Sequence, residues 1–377
     1  MAEDAALASR FRGVVFDLDG VVYLGEEAIE AAPAALDQVR ALGVAVAFVT
    51  NNSYRPPDLV AEKLQRMGVK AAPEEVLTSS QALVRLLGGS AGLDGVRVMV
   101  VGGPGLRGAL EAAGARLVDG SAWREAEVVA VGFDPDLTYA RVRDATLAIR
   151  AGARVVGSNP DTTLPAPDGL WPGAGATLAL LQASTGVRPE VAGKPERALL
   201  DTAAAAIGSG PYLMVGDRAD TDLDGAHRLG WSTALVLSGV TRPADLPDLA
   251  IVPDHLLPDV GGLLDPPGPA VRPAGRADRV LGVGGEDGER RLVAVDDERV
   301  VGAVAVRCVG TDGQLDGPVV DHAWRGRLVG TRLVVAACIR VRAEGLVRVI
   351  APRAGEAFLA RLGFRPARDG ASMVREL

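Results

Sequence analysis

The chain is nearly empty of several residue types that other protein classes depend on. Lysine occurs only at Lys63, Lys70 and Lys194; the other 37 of its 40 basic side chains are arginine. A lysine kept against that drift is informative, because a compact ammonium and a planar guanidinium do different work. Histidine occurs only at His227, His255 and His322, without the spacing of a metal site, so structural or exposed roles are expected for all three. Cys308 and Cys338 are too few for a disulfide framework. No apolar run approaches the roughly 20 residues of a membrane span. The opening MAEDAALASR has neither the basic start nor the apolar stretch of a secretory signal. A cytoplasmic chain with no membrane partner is therefore expected.

What the chain has is apolar bulk, 48 % of its 377 residues, and an uneven charge. Its length predicts two or three domains. Residues 1–270 carry 22 basic and 34 acidic side chains, whereas residues 271–377 carry 18 arginines and 14 acids. The acidic first part argues against nucleic acid as a partner. The basic remainder can hold an anion or dock on the acidic part.

Apolar runs of strand length recur at 14–16, 44–49, 96–101, 128–131, 155–156, 212–215 and 233–237, separated by helical patterns that mostly stop at a glycine. Alternation of this kind predicts an α/β fold with a doubly wound parallel sheet. Residues 261–273 hold four prolines among glycines and read as a semi-rigid linker. A β-rich region, one long helix near 328–344, a strand at 347–351 and a short helix follow.

Four segments carry chemistry. The run Gly13-Val14-Val15-Phe16 ends in Asp17-Leu18-Asp19-Gly20. A carboxylate at the C-terminal end of a parallel strand faces the ligand crevice of an open sheet. Asp17 can attack phosphorus, and Asp19 can move the protons; alone, the pair also reads as a solvated turn. The run 44–49 ends in Thr50-Asn51-Asn52-Ser53, whose hydroxyl and amides could hold phosphoryl oxygens or form an ordinary turn. Lys194, between Gly193 and Pro195, offers a point charge for phosphate. The run 212–215 ends in Gly216-Asp217-Arg218-Ala219-Asp220-Thr221-Asp222. Carboxylates crowded at two strand tips call for a cation, and hard oxygens suit Mg²⁺. Asp217 is the expected direct ligand, with Asp222 a ligand or a partner of Lys194.

Together these segments resemble the haloacid dehalogenase superfamily, and in particular its 4-nitrophenylphosphatase-like branch. TNNS at 50–53, NPD at 159–161, PGAG at 172–175, GKP at 193–195 and GDRADTD at 216–222 carry the likeness over about the first 260 residues. The resemblance implies Asp17 as nucleophile, Asp19 as acid/base, and Thr50 and Lys194 as catalytic groups. It places Mg²⁺ on Asp17, Asp19 and Asp217. It also implies an α/β cap inserted in a phosphatase core, here residues 81–184 within 1–80 and 185–262. With Asn51 and Asn52, cap residues Asn159 and Asp161 are candidates for substrate contact, as is the loop 132–139. The substrate implied is a small phosphomonoester, with glycerol 3-phosphate favoured over phosphoglycolate, nucleotides or pyridoxal phosphate. Cap-mediated homodimers are known in such a branch and are possible here.

Inside the cap, Gly103-Pro104-Gly105-Leu106-Arg107-Gly108 has the form GxGxxG, with Asp119 beyond it. A dinucleotide loop is one reading. An ordinary tight turn is the other, favoured because Pro104 removes a backbone donor. After a linker at 263–277, residues 278–377 resemble a reduced GNAT acetyltransferase domain, on DHAWRGRLVGTRLV at 321–334 and FLARLGF at 358–364. Leu328 replaces a loop glycine, and Leu359 replaces the usual tyrosine. These departures argue against CoA binding and leave packing or regulation as the expected role. A bifunctional protein with an acyl-CoA-binding or acetyltransferase tail is the alternative, and a noncatalytic sugar-phosphate sensor is another.

Overall fold

The computed structural model describes residues 5–89, 91–166, 168–275, 278 and 290–377. The first three strands of one sheet are β1 (Gly13–Asp17), β2 (Ala45–Thr50) and β3 (Val76–Thr78). A second sheet is made by β4 (Arg97–Val101), β5 (Arg116–Val118), β6 (Val128–Val131), β7 (Arg154–Gly157) and β8 (Glu190–Val191). Then come β9 (Tyr212–Gly216), β10 (Ser232–Val236) and β11 (His255–Leu257). β9, β10 and β11 rejoin the first three in an all-parallel sheet of order β11-β10-β9-β1-β2-β3. Central strands of such a sheet are covered on both faces, so β1 and β9 are buried along almost their whole length. The chain builds outward from β1 to β3 and later returns on the other side through β9. The crevice of this fold therefore opens between the C-terminal ends of β1 and β9.

The second sheet, of order β8-β7-β6-β4-β5, is also parallel. It belongs to the expected cap, with two differences at its edges. The helix Ser79–Gly88 covers the first sheet rather than opening the insert, since Ala82 and Leu83 pack with Val15, Ala47 and Val49. Its start is fixed by Thr78, whose hydroxyl accepts from Gln81 N while the Gln81 side chain accepts from Thr78 N. At the other end β8 keeps the insert going to Val191; two residues of strand leave no periodicity to read.

The tail forms a third sheet from β12 (Ala270–Pro273), β13 (Arg290–Asp296), β14 (Arg299–Val309), β15 (Asp312–Val320), β16 (Arg348–Pro352), β17 (Arg365–Pro366) and β18 (Ser372–Glu376). Its order is β12-β13-β14-β15-β16-β18-β17, antiparallel except where β15 meets β16. The expected linker is correspondingly shorter. Leu263 lies in the core of the first sheet, and Ala270–Pro273 is an edge strand of the third. Proline-rich sequence is compatible with that position, because an edge strand leaves one row of N–H groups unpaired. Only residues 265–269 are irregular among 263–273. Residues 276–277 of the expected linker and 279–289 of the expected tail lie outside the described residues.

The helix Val329–Ala343 packs its apolar face on the third sheet and on the first unit at once. Leu333, Val334, Ala337 and Val341 share one core cluster with Leu235, Leu246 and Leu256. Arg342 donates to the Leu249 and Pro247 carbonyls at 3.0 Å each, and Arg375 pairs with Asp248 at 2.5 Å. The basic tail does dock on the acidic part. Leu359 is buried in the same cluster, and Trp324 is half-buried beside it.

At this junction His255, the first residue of β11, has a buried Nδ1 with no hydrogen-bond partner. Burial lowers its pKa from 6.5 to about 4, with Arg332 and Arg10 adding to the effect and Asp254 opposing it. Between those pH values the unfolded chain takes up a proton that the folded chain refuses. The stability tied to His255 is thus present above about pH 6.5 and lost as pH falls toward 4, on the order of 3 kcal/mol. His255→Gln should flatten that part of the profile. Thermal midpoints of the two proteins from pH 7 to 4 check this; parallel curves would count against it.

Candidate active site

Asp17 ends β1, Thr50 ends β2 and Asp217 follows β9, so three neighbouring strand tips converge. Lys194 joins them from the segment that returns from the insert. Its Nζ lies 2.5 Å from Asp17 Oδ1 and 2.7 Å from Asp222 Oδ1, with the lysine side chain 2 % exposed. Carboxylate oxygens of Asp17, Asp217 and Asp222 lie within 4.8 Å of one another. Asp222 is therefore a partner of Lys194 as well as a member of the acid cluster.

One ammonium does not balance three clustered carboxylates, two of them buried and Asp17 half-buried. Burial pushes Asp17 up to about 8; Lys194 opposes, while Asp222 and Asp217 push the same way. Asp217 rises to about 6, chiefly by burial and then by Asp222. Burial alone would depress Lys194, but Asp17 and Asp222 outweigh it and hold the ammonium charged. A cluster of hard oxygens with excess negative charge is what a divalent cation such as Mg²⁺ relieves, and Asp17, Asp217 and Asp222 fit one.

The cluster is held by close backbone. Gly20 has φ +80°, and a Cβ there or at Gly239 would collide with the Asp217 carboxylate. Val240 N donates to Asp217 Oδ2 at 2.6 Å, and the Thr241 hydroxyl donates to the Asp217 carbonyl at 2.5 Å. The Ser238 hydroxyl donates to the Gly20 carbonyl at 2.7 Å, tying this loop to the one after β1. Residues 237–241 come directly after the tip of β10, and that position is the sequence signal for their place beside the crevice.

Asp19 lies in the loop after β1 and is more exposed than Asp17. Burial raises its carboxyl above the usual range, and Lys63 opposes the shift. Lys63 is the functional neighbour that the sequence reading passed over. It is buried, donates to the Gly25 carbonyl at 2.6 Å, and lies 3.9 Å from the centre of the Tyr23 ring. Through these contacts it fixes the loop that carries Asp19.

Thr50 is buried, and its Oγ1 accepts from Asn52 N at 3.1 Å. Asn52 is exposed and caps the turn, accepting from Tyr54 N at 2.8 Å. Asn51 instead locks the two units together. Its Nδ2 donates to Asp161 Oδ2 at 2.9 Å and to the Lys194 carbonyl at 3.0 Å, while its Oδ1 accepts from Lys194 N at 2.9 Å. Asn159 is buried in the same joint: its Nδ2 donates to the Asn51 carbonyl at 2.8 Å and its Oδ1 accepts from Asp161 N at 3.1 Å. Arg218 approaches Asp161 at 3.4 Å. Asn159 and Asp161 thus sit beside the lysine, with their polar atoms spent on the joint.

The GxGxxG segment belongs to this joint too. Gly105 N donates to the Tyr54 carbonyl at 2.8 Å, and a Cβ at Gly105 would lie 2.7 Å from that oxygen. Gly103 lies against the Tyr54 ring, and Asp119 pairs with Arg107 at 3.0 Å. These glycines seat the insert on the core loop, which is the tight-turn reading.

Comparison with known proteins places this geometry. Family models for haloacid dehalogenase-like hydrolases match residues 14–116 and 191–263. An acid sugar phosphatase of Staphylococcus haemolyticus is 36 % identical over 252 residues, 66 % of this chain and 94 % of that protein. The chain belongs to the haloacid dehalogenase-like hydrolases. With acid sugar phosphatases matching over nearly their whole length, it is a phosphatase of that family. A 4-nitrophenylphosphatase from Geobacillus stearothermophilus superposes with TM-score 0.61 at 34 % identity, covering 67 % of this chain and 97 % of its own. The glycerol phosphate phosphatase of Mycobacterium tuberculosis, solved with calcium, extends further. It covers 95 % of this hydrolase and 98 % of its own length, at 31 % identity and TM-score 0.75. The same protein solved with magnesium gives TM-score 0.72. An acetyltransferase (GNAT) domain model matches residues 287–366, so the tail is GNAT-like.

Proposed function

We propose that the chain hydrolyses a small phosphomonoester, best glycerol 3-phosphate, through an aspartyl-phosphate at Asp17. The contact that carries this reading is Lys194 Nζ on Asp17 Oδ1 at 2.5 Å, which keeps a buried carboxylate charged where it must act as nucleophile. Asp17 attacks phosphorus as the bond to the leaving oxygen breaks, and Asp19 gives that oxygen its proton. A water then attacks the acyl phosphate and gives a proton to Asp19, releasing phosphate and restoring both carboxyls. The Thr50 hydroxyl, accepting from Asn52 N, keeps its own hydrogen for a phosphoryl oxygen. Asp17, Asp217 and Asp222 would hold Mg²⁺, which supplies charge neutralisation for the transferring phosphoryl group. Asn51, Asn159 and Asp161 orient Lys194 and set the insert over the crevice.

Glycerol 3-phosphate is favoured by extent of likeness. The M. tuberculosis glycerol phosphate phosphatase matches core, insert and tail together, whereas the staphylococcal acid sugar phosphatase matches only about two thirds of the chain. The test is phosphate release from a panel of phosphomonoesters in the full-length protein. EDTA should abolish turnover and added Mg²⁺ restore it. Glycerol 3-phosphate should show the highest kcat/KM, ahead of 2-phosphoglycolate, pyridoxal phosphate and nucleotides. Turnover that survives EDTA would remove the cation from the reading, and a different best ester would replace the substrate.

A further inference from the structure

Between the first sheet and the tail lies a cavity of about 270 Å³ that no step of the hydrolysis uses. His255, Leu256, Pro258, Trp324, Leu328 and Arg332 lie on its walls. Arg332 is the group that calls for explanation. It is 5 % exposed, yet among the described residues its one hydrogen bond runs from Nη1 to the Pro269 carbonyl at 2.6 Å, and its buried Nε has no partner there. Among the described residues no carboxylate forms an ion pair with it. Asp254 exerts a favourable charge effect from further off, but its Oδ2 already accepts from Thr233 N and Oγ1 at 2.9 and 3.0 Å. Buried guanidinium groups are found almost entirely in pairs, because an uncompensated buried charge is costly. A second unsatisfied atom, His255 Nδ1, belongs to a residue on the same walls.

We propose that this junctional cavity is a binding site for a small organic monocarboxylate, its acidic group on Arg332 beside His255 and its apolar body against Leu256, Pro258, Trp324 and Leu328. The volume is that of roughly nine waters at about 30 Å³ each, enough for a short-chain or single-ring acid. The charge balance selects a monoanion. Asp265 lines the same cavity, and the other cation there, Arg327, is exposed, so a phosphate dianion would be under-compensated. The planar fork of arginine also matches a carboxylate with two parallel hydrogen bonds. The cavity differs from a larger one of about 660 Å³, which shares Trp324, Gly326 and Leu328 with it but is not lined by Arg332 or His255. Because its walls come from both units, the ligand acts as a wedge that holds the tail against the phosphatase sheet.

Calorimetric titration of the full-length protein with benzoate, butyrate and inorganic phosphate tests this. Benzoate or butyrate should bind wild type and Asp17→Asn alike, which separates this cavity from the active site, and should raise the thermal midpoint of both. Arg332→Met should weaken carboxylate binding about 10- to 100-fold, the loss expected for a charge-assisted hydrogen bond. A second variant guards against misfolding of that one. Gly268 is exposed at the cavity mouth, and a Cβ there would sit 3.6 Å from Arg332 Nη1, an ordinary contact. Gly268→Val therefore covers the guanidinium without displacing backbone, and should abolish binding. Absence of carboxylate binding, binding unchanged in Gly268→Val, or phosphate preferred over both acids would each overturn the proposal.

Discussion

Asp17→Asn should lower phosphate release by about 10⁴-fold or more, the scale on which removing a nucleophile acts. The amide cannot form an acyl phosphate, and no other carboxylate is placed to substitute. Asp217 is held from two sides by the 238–241 loop, and Asp222 is engaged by Lys194 and by Arg218 N at 3.1 Å. The same change should not harm folding. Burial, and then the charges of Asp222 and Asp217, push Asp17 up against the pull of Lys194, so a neutral isostere removes repulsion against those two carboxylates. The thermal midpoint of the metal-free variant should equal or exceed that of wild type. Turnover within tenfold of wild type, in protein that folds normally, would end the assignment of Asp17 as nucleophile.

Lys194→Met should strike activity and stability together. Without the ammonium, Asp17 and Asp222 face each other and Asp217 with only the more distant Arg218 as counter-charge. Removing one partner of a buried ion pair costs about 3–5 kcal/mol. Urea unfolding of the metal-free proteins measures the loss, and added Mg²⁺ should recover part of it by supplying the missing positive charge. Lys194→Arg should not rescue turnover. The side chain is 2 % exposed, and a forked guanidinium does not fit a niche shaped around one nitrogen. A Lys194→Met protein with unchanged stability and turnover within tenfold of wild type would show that the pair does neither task.

The core of this site was legible because its chemistry sits at strand ends. Asp17, Thr50 and Asp217 each close an apolar run, and such a run needs no long-range information to be seen. Lys194 was legible for a compositional reason, as one of three lysines among 40 basic residues. Lys63 was another of the three, but its value lies in a contact with the Gly25 carbonyl, 38 positions away, and no local pattern announces that. The joint made by Asn51, Asn159 and Asp161 was hidden in the same way. Each residue type is an ordinary turn former, and only the fold brings Asn51 and Asp161, 110 positions apart, within 2.9 Å. The linker was over-read because proline content excludes a central strand without excluding an edge strand such as Ala270–Pro273.

The core cluster shared by Leu235, Leu246 and Leu256 with the tail helix bears on how such a fusion can be cut. That strip is greasy because it is never wetted. A fragment ending at residue 264 would keep Asp17, Asp19, Thr50, Lys194 and Asp217 and still expose that strip. It should therefore stick to itself and precipitate during purification, although nothing in its reaction centre has changed.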